Sequence, residues 1–136
     1  MRVVFDSNIF ISALVMPGGQ ADQAILKIIE ETDILFISKE IISEVLRVLS
    51  QKFSRDSEEI SRVALYLTDL THLVQPKEKI NILEDKPDNR VLECAAAGKA
   101  DIIVTGDKAM LRVKEYRGIK IISLREYLNY GVNNIN

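Results

Sequence analysis

Ile102-Ile103-Val104-Thr105-Gly106-Asp107 reads as a short buried strand that delivers a carboxylate to its C-terminal tip. About a hundred residues earlier, Val3-Val4-Phe5-Asp6-Ser7-Asn8 has the same form, an apolar run ending on an aspartate at a turn. In open α/β sheets the crevice outside the strand tips is where ligands bind. Two acids delivered there by separate strands point to a metal site.

Working outward from these runs, apolar periodicity alternates strands with helices. After Pro17-Gly18-Gly19 a helix carries Ala21, Ala24, Ile25, Ile28 and Ile29 on one face. Ile34 to Ile37 is a strand, and Ser38 caps a helix to about Phe53. A further helix runs from about Ser57 to Thr71, placing His72 near its end. Gln75 to Pro87 is a polar loop with a short extended piece at Ile80 to Leu83. Asp88 opens an alanine-rich helix that Gly98 closes. Lys108 to about Val113 is a short helix, Ile119 to Ile122 a strand, and Ser123 caps a last helix. This alternation predicts βαβ units and a three-layer α/β/α sandwich around a central parallel sheet. Right-handed crossovers then put all the strand tips on one edge.

At 136 residues the chain is expected to form a single domain over 1–136, with about 130–136 a frayed tail. No apolar stretch approaches the length of a membrane span, and the N-terminus lacks the basic start of a signal peptide, so a soluble cytoplasmic protein is expected. The one cysteine, Cys94, excludes an internal disulfide and a zinc-type cysteine pattern, and reads as a small core residue. A net charge of −2 gives no overall basic field, but Lys108, Arg112, Lys114, Arg117, Lys120 and Arg125 form a locally basic stretch.

Two more acids join Asp6 and Asp107. Glu44 falls at the border of an apolar helix stripe, one turn from Ile41 and from Val48. Asp88 lies at a helix N-terminus, where capping is its ordinary role. Two like charges ~4 Å apart cost ~4 kcal/mol at an effective dielectric near 20, so four converging carboxylates call for a cation or for protonation. Oxygen ligands with no neighbouring His or Cys fit Mg²⁺ or Mn²⁺. Such an ion acidifies a bound water and stabilises charge on a phosphoryl oxygen, which leads to phosphodiester hydrolysis. Asp85 is a further acid of the cleft or a cap for the turn before Pro87. Ser7 contacts a metal-bound water or serves its own turn, and Asn8 has an ordinary role as an N-cap. Asp101 precedes its strand and belongs at the opposite edge. Lys108 and Arg112, just after Asp107, are candidate phosphate contacts.

At these residues the chain resembles the PIN-domain ribonucleases, most closely the VapC-like toxins of toxin–antitoxin pairs. The resemblance runs through four stretches in order: Val3 to Asn8, Ser38 to Leu49 with Glu44, Asp85 to Ala95 with Asp88, and Ala100 to Lys108 with Asp107. It implies that Asp6, Glu44, Asp88 and Asp107 hold Mg²⁺ or Mn²⁺, supported by Asn8 and Thr105. It also implies an RNA substrate, a cognate antitoxin partner and a homodimer. A response-regulator phosphoacceptor needs paired acids after the first strand, where Ser7 follows Asp6; a haloacid-dehalogenase phosphatase needs Asp-x-Asp, where the chain has Asp6-Ser7-Asn8. A non-catalytic RNA-binding or scaffold protein of the PIN fold is the remaining alternative.

Overall fold

A computed structural model of the chain describes residues 1–130. The expected frayed tail therefore lies almost entirely outside the described residues. Strands β1 (Arg2–Phe5), β2 (Ile34–Ser38), β3 (His72–Val74), β4 (Ile102–Val104), β5 (Glu115–Tyr116) and β6 (Ile119–Ile122) form one sheet in the order β3-β2-β1-β4-β6-β5. The first four and β6 pair in parallel, so their C-terminal tips share one edge. β5, a strand the sequence reading does not include, pairs antiparallel with β6 at the edge of the parallel sheet. It is joined to β6 by a two-residue turn, Arg117 (φ 52°) and Gly118 (φ 81°); positive φ at both central residues matches the twist of a tight hairpin.

Helices α1 (Ser7–Val15), α2 (Gln20–Glu30), α3 (Lys39–Lys52), α4 (Ser57–Leu70), α5 (Lys86–Ala97), α6 (Lys108–Val113) and α7 (Leu124–Asn129) complete the chain. Val3, Val4, Phe5, Ile37, Ile102, Ile103 and Val104 are buried almost completely, as strands covered on both faces must be. The amphipathic helices lay their stripes against them: Ala24, Ile25 and Ile28 of α2, Ile41, Val45 and Leu49 of α3, and Leu92 and Ala95 of α5 are all in the core. Cys94 is a free, buried core residue. Among the described residues no single helix is long and apolar enough to cross a membrane.

Three local expectations change. His72 opens strand β3 and lies outside the preceding helix. Ile80 to Leu83 is no strand; Ile80 is instead a buried anchor of an irregular loop. α5 begins at Lys86 with Asp85 at its N-cap position, so Asp88 does not open the helix but sits in its first turn. The Ser38 and Ser123 caps form as expected: Ser38 accepts from Ile41 N–H, and Ser123 forms a full capping box with Glu126.

Candidate metal centre

The sheet delivers its acids rigidly. Asp6 follows β1, and its N–H donates to the Val104 carbonyl at 2.9 Å, extending the β1–β4 ladder to the tip. Thr105 follows β4, and its N–H donates to the Ile122 carbonyl at 3.0 Å. The fully buried Thr105 hydroxyl donates to Asp6 Oδ2 at 2.7 Å and accepts from Asp107 N–H at 3.0 Å. Ser7 donates its hydroxyl to Asp6 Oδ1 at 3.3 Å. Asp107 caps α6, its Oδ1 accepting from Met110 N–H at 3.0 Å.

α5 adds the remaining acids. One carboxylate oxygen from each of Asp85, Asp88 and Asp107 lies within 4.8 Å of the other two. Asp88 is only 5% exposed, and its Oδ2 is buried with no hydrogen-bond partner. A helix cap would have found an N–H, so the capping role fails for Asp88. Two of the acids, Asp88 and Asp6, have their ionisation disturbed by these surroundings. Burial, then the charges of Asp107, Asp6 and Asp85, push Asp88 up to about 7. Burial also raises Asp6, against the opposing hydrogen bonds of Thr105, the Asn8 backbone and Ser7, with the Asp107 charge adding a smaller upward push.

Other candidates sit further out. Glu44 is half-buried on α3 and lines a groove with Ser7, Ile41, Lys86, Pro87 and Arg90. Its Oε2 pairs with Arg47 at 2.8 Å, and it lies outside the three-acid group. Asn8 is exposed, and it reaches Asp6 through its backbone N–H, not its side chain. Since α1 starts at Ser7 with Asp6 as N-cap, Asn8 is not the cap either. Lys108 and Arg112 are exposed on α6. Asp101 accepts from Arg2 N–H at 2.8 Å at the opposite edge, as its place before β4 predicts.

Three polar residues of α5 escape a reading by residue type. Asn89 is fully buried, Glu93 is 3% exposed, and Arg90 pairs with Glu93 at 2.9 Å. All three bind the loop before the helix. The available signal was spacing: Asn89 and Glu93 lie on the helix flank that also carries the buried Leu92, where an unpaired polar group is costly.

The donor set fits a hard divalent ion. The donors are all carboxylate oxygens, one of them buried without a partner, and neither His72 on β3 nor Cys94 in the core is among them.

Comparison with known proteins agrees with the fold. The family model described as PIN domain matches residues 2–109. An uncharacterized protein of Methanocaldococcus jannaschii is 29% identical over 119 residues, covering 85% of this chain and 76% of that protein. Two solved structures superimpose on it: VapBC-1 from nontypeable Haemophilus influenzae, with a TM-score of 0.66, 17% identity and coverage of 92% of this chain and 99% of that one; and VapBC2 from Rickettsia felis, bound to a DNA fragment from their promoter, with a TM-score of 0.64, 14% identity and coverage of 90% and 98%.

Proposed function

The chain belongs to the PIN-domain family, and from that premise we propose that it is a Mg²⁺- or Mn²⁺-dependent endoribonuclease of the cytoplasm, the VapC-like toxin of a toxin–antitoxin pair. The observation that carries the catalytic reading is the buried, unpartnered Asp88 carboxylate among Asp85, Asp107 and Asp6. An arrangement of like charges with an orphaned oxygen is unfavourable by itself and becomes favourable when a cation completes it.

Asp6, Asp88 and Asp107 would hold the ion, with Asp85 beside them. When bound, the ion supplies Lewis acidity toward water and a phosphoryl oxygen. The chain's own residues do the positioning. Thr105 and Ser7 fix the Asp6 carboxylate by direct hydrogen bonds. Met110 N–H fixes the Asp107 carboxylate by a hydrogen bond to Oδ1. Lys108 and Arg112 offer positive charge to the RNA phosphates next to the acids. Glu44 is the proposed fourth acid; its pair with Arg47 is a partly exposed helix-surface pair, the kind worth well under ~1 kcal/mol and readily released. The likeness to VapBC structures supports an antitoxin partner, and a homodimeric toxin belongs to the same proposal.

The test is cleavage of a mixed RNA pool with Mn²⁺ or Mg²⁺, run beside EDTA and Asp6→Asn controls. Cleavage by the native chain that both controls abolish is expected. Cleavage surviving both would overturn the assignment. The engagement of Glu44 by Arg47 favours one second reading, a non-catalytic RNA-binding protein of the same fold. RNA binding without cleavage under any metal condition would select it.

A further inference from the structure

Asp85 occupies the N-cap position of α5 but makes no capping hydrogen bond. The reason is local. Pro87, in the first turn, has no N–H, and the N–H of Asp88 donates to the Asp85 carbonyl at 3.2 Å. The Asp85 carboxylate is thereby left to face Asp88 and Asp107, within 4.8 Å of both. Adding a third like charge to a buried neighbour works against folding, so something must hold the loop.

Asn89 holds it. Its side chain is fully buried and engaged at both ends. Oδ1 accepts from Ile82 N–H at 3.1 Å and from Leu83 N–H at 2.8 Å. Nδ2 donates to the Leu83 carbonyl at 2.8 Å and to the Asp85 carbonyl at 3.4 Å. One side chain thus ties four backbone groups of the segment that ends on Asp85. Further upstream the loop has its own anchor: Ile80 N–H donates to Glu93 Oε2 at 2.8 Å, and Arg90 donates to the Ile80 carbonyl at 3.0 Å. The Asn89 clamp therefore acts on residues 82–85 alone. The orphaned Asp88 Oδ2 within the same cluster is the independent sign that a ligand belongs there.

We propose that Asn89 is a positioning residue that presents Asp85 as an additional carboxylate ligand, so that the two act as one unit in binding a divalent cation. This rests on the metal-site reading given above. The test is titration of metal-stripped full-length protein with Mn²⁺, with free Mn²⁺ followed by its EPR signal, for the native chain, Asp85→Asn, Asn89→Ala and the double variant. Each single variant is expected to weaken Mn²⁺ binding about tenfold, the range seen when support of a ligand is removed. The double variant should be no weaker than either single one, because both remove the same contribution. Losses that multiply, or an Asn89→Ala variant that keeps native affinity while melting lower, overturn the proposal and leave Asn89 a purely structural residue. If Asn89→Ala does not fold, Asn89→Ser, whose side chain stays polar but is too short to span the loop backbone as Oδ1 and Nδ2 do, is read against the same two outcomes. Failure of the native chain to bind Mn²⁺ at all overturns the metal-site reading itself and this inference with it. An insensitive Asn89 beside a native chain that binds overturns the inference alone.

Discussion

Asp88 is the residue whose chemistry is most displaced by its surroundings. In the unfolded chain its carboxyl titrates near 3.8, whereas in the folded protein it does so at about 7. Between those values the folded state holds the proton that the unfolded state has released. Stability therefore falls as pH rises through the window, the sign expected when the native state binds more protons. Metal-free protein should melt lower at pH 8 than at pH 5, and Asp88→Asn should flatten that dependence; thermal melts in EDTA across this range check it. An incoming divalent ion must displace the same proton, so Mn²⁺ affinity should rise with pH and level off above about 7. At this scale the sequence was informative about identity and less so about placement. Asp6 and Asp107 stand at turns after apolar runs, and each is found at its strand tip. The special position of Asp88 was hidden because α5 starts at Lys86 with Asp85 at its N-cap position, which puts Asp88 inside the first turn, and no pattern of apolar residues reports on that.

Elements were legible where burial is two-sided. β1, β2 and β4 are unbroken apolar runs because both of their faces meet helices. β3 and β5 were not legible. His72 and Leu73 are exposed on an edge strand, and β5 is two residues long, so neither carries a burial pattern; each exists because its neighbour offers a ladder. Ile80 to Leu83 misleads in the opposite direction, since Ile80 is buried by side chains of α5 rather than by pairing. The end of α5 supplies a test. Gly98 has a helical φ of −82°, and the left-handed residue that turns the chain is Lys99 at φ 50°. The glycine is required by close approach: a Cβ there would lie 3.1 Å from Phe36 Cγ. That ring is itself held by the Arg2 guanidinium 4.4 Å from its centroid, and Arg2 Nε donates to the Gly98 carbonyl at 2.8 Å. Gly98→Ala should therefore destabilise the protein by about 1–2 kcal/mol by overpacking, lowering Tm by about 3–8 °C. Calorimetry checks it.

Over the whole molecule, a net charge of −2 conceals a division of labour, with acids gathered at the strand tips and cations on the exposed face of α6 beside them. Single-stranded RNA releases counterions in proportion to the phosphates neutralised, with a slope near −0.7 per contact. Replacing both Lys108 and Arg112 by alanine should make the dependence of log K on log salt shallower by about 1.4, and fluorescence anisotropy on a labelled RNA with the Asp6→Asn chain measures it without cleavage. An unchanged slope would take both residues out of the phosphate path. The three-layer architecture and the edge that gathers the tips follow from alternating apolar runs, but the group that ties the acids together does not. That group is the Thr105 hydroxyl. Because Asp107 N–H already donates to it, its own proton has to point away, and it points at Asp6. A hydroxyl carries two acceptor lone pairs besides its rotatable proton. It can therefore turn from donor to acceptor toward Asp6 without releasing the Asp107 N–H. Thr105 is thus a neutral swivel between the two strand tips, which keeps the turn carrying Asp107 in place whichever protonation state Asp6 takes.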